Sequence, residues 1–562
     1  MIRFPFRYLS WLISRLRRSL GAPPDFITIL IDAAPPALPD PPGPFWQRFI
    51  SISKPIVSLK QWGDRFDVIA REPRIKGVVL HLRPVPMSMA TLQDLRELVS
   101  KLRSAGKRVV AWAPFYTPAT YYLACACDEI LLMPVGEVAP LGFAATRMFL
   151  ADGLARVGIK ADFVQVSPYK SAADMLTKSK MSKELREQVT WLLDSDHKEL
   201  LNAIAMSRGL DDKAAQELID QSPYPDYVAL EKRVVDGIRS EEELPQYLGS
   251  SGKAAKMATW DQARSRLNTP PPKLALGKYV ALIRIEGTIV DGRSERPPIK
   301  PPVEIPLVGA ERAGDLTIVQ LARQVASDKR AAAAVLYVNS PGGSATASEA
   351  MRQALEQVSI RKPLVVAMGS VAGSGGYFVA TPGRWITARP STLTGSIGVL
   401  SGKIVTGGLW AKLLFNRETI AIGEHVTIEG DEKPYTEAER RIVQSQIDRI
   451  YHLFLDRVGR SRTMSPEDVH AIAAGRVWTG RQALERNLVD ELGGLEAAIR
   501  KARSLAGLKD DAPAREVRVP RKLIPPLALP SAAAYAGYLL DGIKLVNRAP
   551  ALVVMEFLPS EV

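Results

Sequence analysis

The chain has 562 residues, 46% of them hydrophobic and 24% charged. That is too long for one hydrophobic core and too evenly mixed for a disordered chain or a polytopic membrane protein, so two or more domains of roughly 150 residues or more are expected. The net charge of +14 leaves nucleic acid, anionic lipid or no specific partner open, and its distribution decides among them.

The first twenty residues carry Arg3, Arg7, Arg15, Arg17 and Arg18 without an acid, interleaved with Phe4, Phe6, Tyr8, Trp11 and Leu12. A helix over 7–20 puts Leu9, Leu12, Ile13, Leu16 and Leu20 on one face, which suits a helix lying in the interface of an anionic membrane; the alternative is a basic helix docked on its own protein. Nucleic acid is not indicated. No apolar run is long enough for a convincing transmembrane helix, and no secretory apolar region stands at the start. Residues 1–24 therefore read as a basic amphipathic segment and candidate membrane anchor, and the cytoplasmic face is expected. Cys125 and Cys127, at i, i+2, fit neither a disulfide framework nor a metal site.

The rest of the chain repeats one plan with a period of about 250 residues. The β-branched run 26–32 is matched by 280–286, then 76–83 by 333–339, 107–113 by 362–368, and 129–134 by 385–390. Between the last two pairs, Tyr121-Tyr-Leu-Ala124 is set against Gly376-Tyr-Phe-Val379, which puts Ala119 opposite Ser374. Late in each half, 217–237 parallels 475–493. Strands alternating with helical stretches predict βαβ units: an α/β fold of two tandem domains, with mostly parallel sheets and outer helices. Prolines at Thr269-Pro-Pro-Pro272 mark the crossing, and a loop is expected across the cluster from Pro297 to Pro306. The domains run over 25–268 and 269–510, and 511–562 is a tail with a short helix near 532–540 and a second candidate membrane contact.

The glycine-crowded turn Met368 to Tyr377 follows a strand. It offers Ser374 as a nucleophile at a strand-to-helix turn, with Ser370 as its rival; packing of a helix by Gly373, Gly375 and Gly376 is the plainer alternative. Ala372 departs from the G-x-S-x-G elbow. Asn339-Ser-Pro-Gly-Gly-Ser344 is expected to open the next helix and to aim the amides of Gly342 and Gly343 at a developing oxyanion, with Gly375 as a further donor. The matching stretch of the first half, Arg83-Pro-Val-Pro-Met87, has prolines there, so that half keeps the fold without the chemistry. Of five histidines, His81, His197, His452 and His470 fall in structural or solvated contexts and His425 stays open. A buried lysine can serve as base once desolvation lowers its pKa, and Lys170 is the candidate.

Asn339 to Glu349, Ala372-Gly-Ser-Gly-Gly-Tyr377, Pro390 to Gly398 and Gly475-Arg-Val-Trp-Thr-Gly480 together resemble the signal peptide peptidase A family in its long, two-domain form, over roughly residues 25–505. The resemblance implies a fold akin to the crotonase and Clp protease superfamily and a homotetramer. It implies Ser374 as nucleophile, Lys170 of Tyr169-Lys-Ser-Ala172 as base supplied by the first domain, and Ser396 orienting the amine. Half two has no lysine in Ala421 to Thr427, where the short form draws its base. The implied activity is serine endopeptidase action on remnant signal peptides and other hydrophobic peptides, with no cofactor and no metal. Two other readings share the fold: a crotonase-like acyl-CoA hydratase or hydrolase, which would want an acid at Ser374, and a catalytically silent membrane scaffold.

Overall fold

The computed structural model describes residues 8–9, 11–13, 15–16, 18, 21–40, 56–166, 168–269, 271, 277–297, 311–519, 535–541 and 551–555. They form two compact units, one drawn chiefly from Met1–Ala144 and Asp194–Leu276, the other from Ala145–Leu193 and Gly277–Pro559. The sequence boundary at 268 thus needs one amendment: 145–193, with Lys170, packs with the second half of the chain.

In the first unit, Phe26–Ile31, Gly77–Leu82, Arg108–Tyr116 and Glu129–Val138 run parallel in that order, with Met257–Thr259 on the outer edge and Tyr224–Pro225 antiparallel at the far side. All six residues of Gly77–Leu82 are buried, as expected of a parallel strand covered on both faces. Helices Leu59–Arg71 and Met89–Ser104 begin on Ser58 and Ser88, whose hydroxyls accept the Gln61 and Thr91 amides. The second unit repeats the order. Ala514–Glu516, Tyr279–Glu286, Ala331–Ser340, Leu364–Gly373 and Leu393–Gly395 are parallel neighbours, and Val477–Thr479 closes the sheet antiparallel.

The duplication extends to side chains. Lys107 Nζ donates to Glu72 O (2.6 Å) and Ile75 O (2.7 Å), and Lys362 Nζ to Val325 O (2.7 Å) and Asp328 O (2.9 Å). Each lysine ties off carbonyls at or just beyond the end of a helix, the one that precedes Gly77–Leu82 in the first unit and the one that precedes Ala331–Ser340 in the second. Asp236 accepts from the Ile130 amide and pairs with Arg208; Asp490 accepts from the Ile386 amide and pairs with Arg462. Tyr121 Oη donates to Val234 O (2.7 Å) and Tyr377 Oη to Leu488 O (2.8 Å). These equivalent tyrosines shift the sequence alignment by one residue: counting back from them, Pro118, not Ala119, stands opposite Ser374.

A second sheet belongs to the second unit alone. Its order is Arg312–Gly314, Thr288–Val290, Gly342–Ser344, Leu552–Val554, Leu400–Val405 and Lys160–Gln165. The described parts of the tail are therefore built into the fold: Ala514–Glu516 as an edge strand, helix 535–541 through Tyr538 stacked on Arg312 (3.7 Å), and Leu552–Val554 inside the second sheet. Pro270, Pro272 and most of the proline cluster lie outside the described residues, as do Arg3, Arg7, Arg17 and Leu20.

Replacing Lys362 with Met keeps the stem and removes the bonds to two helix-end carbonyls. It is expected to cost about 2 kcal/mol of stability, read as a lowered thermal midpoint. An unchanged midpoint would show that the lysine only covers the helix end.

Candidate active site

Ser374 stands where the strand Leu364–Gly373 turns into the short helix Gly375–Phe378. As N-cap it takes φ 52° and ψ −113°, a costly conformation for a residue with a side chain, held here by its neighbours. Its amide donates to Gly395 O (2.8 Å) and its carbonyl accepts the Phe378 amide (2.8 Å). A Cβ on Gly376 would lie 2.6 Å from Ser340 O, so close packing of this turn against the strand Ala331–Ser340 requires glycine there. The plainer reading of the turn, glycines packing a helix, is thus correct for Gly376, and it coexists with the strained serine.

Lys170 reaches the same point from the other sheet. The strand Lys160–Gln165 runs antiparallel to Leu400–Val405 from Gln165 opposite Leu400 to Lys160 opposite Val405. The Val166 amide then donates to Val399 O (2.9 Å), and the Tyr169 amide to Ala474 O (3.1 Å). Gly475, at φ 87°, allows the approach, because a Cβ there would lie 2.3 Å from the Lys170 nitrogen. The result places Lys170 Nζ 2.8 Å from Ser374 Oγ, 3.0 Å from Ser396 Oγ and 2.9 Å from Ser396 O. Ser396 is itself held at φ 50°, its amide donating to Arg476 O.

Lys170 is 1% and Ser374 0% exposed. Among the described residues the amine's hydrogen-bond partners are two hydroxyls and a carbonyl, with no carboxylate. Burial pushes its pKa well below the usual lysine range, since desolvation penalises the charged form and nothing nearby repays it.

The structure brings Ser374, Lys170, Ser396 and the glycine segments together. It rearranges the glycines: Gly342–Ser344 is a short strand, and the helix Ala345–Arg361 follows directly, with Ser344 as its cap. The Gly342 amide is engaged with Ser340 Oγ (3.1 Å). A Cβ on Gly343 would lie 2.0 Å from Ile289 O. Gly375, at the first helical position, has an amide with no acceptor inside the helix. Ser370 stays within the strand Leu364–Gly373. The histidines lie elsewhere: His470 meets Tyr451 Oη, His197 meets Gln216, His81 packs on Trp112, and no bond joins His425 or His452 to Ser374 among the described residues. No group of His, Cys, Asp and Glu suited to a metal occurs among the described residues.

Sequence reasoning assigned no role to the segment that seats Lys170. Gly475 was visible only as part of a quoted motif. Gln188 accepts the Val477 amide (2.8 Å), Trp191 Nε1 donates to Val477 O (2.9 Å), and Trp191 stacks on Trp478 with centroids 5.0 Å apart. Met555 is buried against Leu192, Leu393 and Val477, and nothing in its local sequence announces it.

A strained serine bonded to a buried, uncompensated lysine is the arrangement of a serine hydrolase that works without histidine. Comparison with known proteins agrees. The sequence model of Peptidase family S49 matches residues 101–253 and 356–509, the first span holding Lys170 and the second Ser374 and Ser396. The chain belongs to peptidase family S49 and is a serine peptidase. It is 31% identical over 461 residues to the chloroplastic serine protease SPPA of Arabidopsis thaliana, covering 80% of this chain and 66% of the relative. It is 29% identical to protease 4 of Haemophilus influenzae (80% of this chain, 73% of the relative) and 30% identical to protease 4 of Salmonella typhi (79% and 72%).

Gly475→Ala is expected to lower kcat/KM on a peptide substrate by about 10²-fold, because the added methyl forces the Lys170 backbone away and misplaces the amine. Activity within a few-fold of the parent would show that the close approach does not position Lys170.

Proposed function

We propose that Ser374 and Lys170 form the catalytic pair of an endopeptidase acting on hydrophobic peptides, remnant signal peptides among them, at a membrane surface. The observation that carries this reading is the 2.8 Å contact between a buried, uncompensated amine and a strained serine hydroxyl. A neutral amine has two hydrogens and one lone pair. The hydrogens go to Ser396 O and Ser396 Oγ, which leaves the lone pair for the Ser374 hydroxyl. Ser396 is a positioning residue.

In the reaction, Lys170 takes the hydroxyl proton as Ser374 Oγ bonds to the peptide carbonyl carbon. The oxyanion is met by amides, for which Gly375 at the start of its helix is best disposed, since the Gly342 amide is engaged with Ser340 and Gly343 is paired with the strand Leu552–Val554. Lys170 returns the proton to the leaving amine as the C–N bond breaks, then activates the water that hydrolyses the acyl-enzyme. Lysine also suits a site with no acid nearby, since a carboxylate would hold the amine protonated. The acyl-CoA reading finds no acid at position 374.

Membrane association rests on the first helix. Leu9, Leu12, Ile13 and Leu16 are exposed along it, while Trp11 Nε1 donates to Thr269 O (2.9 Å) and Arg18 meets Glu72 (3.3 Å). One face docks on the protein and the leucine stripe faces outward, a disposition suited to anionic lipid on the cytoplasmic face. Among the described residues no helix is long and apolar enough to cross a membrane. A homotetramer is the assembly in which we place this activity.

Ser374→Ala and Lys170→Met should each abolish hydrolysis of a quenched apolar peptide, and Ser374→Ala should also abolish fluorophosphonate labelling; retained turnover in either would overturn the pair. In the parent, kcat/KM should rise with pH through the depressed lysine pKa and then level, because only the neutral amine is a base. Stability follows the same group. The unfolded lysine holds its proton up to about pH 10.4, where the folded one has released it, so stability rises with pH between the two values. Lys170→Met should remove that slope and stabilise the protein near neutrality, read by denaturant unfolding across pH; an unchanged slope would mean that Lys170 is charged in the folded state.

A further inference from the structure

The slot beside the nucleophile is filled by the chain's own end. Leu552–Val554 lies antiparallel to Gly342–Ser344, with Gly342 opposite Val554, Gly343 opposite Val553 and Ser344 opposite Leu552, and pairs on its other side at Leu400. The Ala345 amide donates to Ala551 O (3.2 Å), and the Met555 amide to Pro341 O (2.6 Å). Remove the segment, and Gly342–Ser344 and Leu400–Val405 are left about 10 Å apart, one strand's width, with unpaired backbone groups facing each other. That is the geometry of a cleft that accepts an extended peptide by strand addition.

Both walls of this slot lead to the proposed site. Gly343 lies on one, and Leu400–Val405 follows directly on Ser396 and Gly398, while its other neighbour, Lys160–Gln165, leads to Lys170. Met555 projects into an apolar pocket with Leu192, Leu393 and Val477, edged by Trp191 and Val371. It lies so close to the residue before the nucleophile that a Cβ on Gly373 would stand 2.4 Å from its sulfur. With the segment seated, Ser374 is 0% exposed, and a peptide cannot reach it.

We propose that residues 551–555 are a self-inhibitory strand that occupies the peptide-accepting cleft in the manner of a substrate, with Met555 in the pocket beside the nucleophile, and that the enzyme works when this strand leaves. The inference rests on the reading of Ser374 as nucleophile. The tail is suited to such exchange. Its described pairing is five residues long, and the helix 535–541 stays tethered by Tyr538 on Arg312, a side chain that also bonds Tyr538 O and Glu295. An extended apolar peptide, the class of substrate proposed above, would make the same backbone bonds and fill the same pocket.

The test uses the full chain with Met555→Asp, and separately Leu552→Asp, in parent and Ser374→Ala backgrounds. In the Ser374→Ala chains, binding of a fluorescein-labelled leucine–alanine decapeptide is followed by anisotropy, and amide exchange by mass spectrometry. If the cleft is open in about one parent molecule in ten, freeing it tightens peptide binding about tenfold. Exchange at Gly342–Ser344 should quicken while the strand Leu364–Gly373 stays protected, which shows that the fold is intact. A synthetic peptide with the sequence from Ala549 to Phe557 should compete with the decapeptide. Unchanged binding and exchange in both tail variants would overturn the proposal. Turnover in the Ser374 chains separates the two readings: freed binding without any hydrolysis removes the catalytic pair and leaves the tail strand, and hydrolysis with binding and exchange unmoved does the reverse.

Discussion

The burial of Lys170 without a counter-charge is the constraint on which the site depends. A lysine amine in water is protonated and useless as a base; taken out of water beside hydroxyls and a carbonyl only, its charged form loses far more solvation than those dipoles return. The surroundings are arranged to keep it so. Tyr169 directs its hydroxyl to Glu187 and its ring to Arg476, leaving acid and base outside the pocket, while Asp174 is taken up by Lys178. Gly475 lets its segment close on the Lys170 backbone where any side chain would collide, and Gly398 packs against the lysine stem, where a Cβ would stand 3.2 Å from Cδ. An added carboxylate would be better for the stability of a buried lysine and worse for its chemistry.

The strain at Ser374 and Ser396 belongs to the same arrangement. Both serines have positive φ, both sit at strand ends, and each amide is fixed by a carbonyl, Gly395 for one and Arg476 for the other. Strain of this kind persists only where the surroundings over-determine it. Here the surroundings are the two sheets of the second unit, one leading to Ser374 and the other, through the short turn after Lys160–Gln165, to Lys170, so sheet strands anchor the segments that carry both groups.

Much of this was legible in the sequence, for reasons that can be named. Parallel strands buried on both faces are apolar runs, so Gly77–Leu82, Ala331–Ser340 and Leu364–Gly373 announced themselves, and duplication let each half check the other. Ser374 and Lys170 could be named because their motifs are long and ordered alike. What failed was local register and distant packing. Tyr121 and Tyr122 are adjacent and chemically alike, so sequence matching chose the wrong one; only the carbonyl each hydroxyl reaches decides. The glycines after Pro341 looked like a helix start, but pairing with Thr288–Val290 and with the tail draws them into a strand, a tertiary effect that overrides local preference. Domain membership of 145–193 was hidden for the same reason: the strand Lys160–Gln165 finds its partner more than two hundred residues away.

The tail was the least legible part, because a strand of three residues has no periodicity to read. Its proline-rich approach suggested an appendage, whereas in the fold it occupies the interior of a six-stranded sheet. Interior strands are ordinarily the last to yield, since they are paired on both sides. This one is paired over five residues, Ala551 to Met555, on one side and at one position on the other, and at its centre it faces Gly342 and Gly343, which contribute no side chains to hold it. A permanent strand in that place would be expected to be longer and to face residues with side chains to pack. Glycines opposite a short apolar strand instead leave affinity to backbone hydrogen bonds and to one pocket, an arrangement that serves any extended apolar peptide as well as it serves the tail.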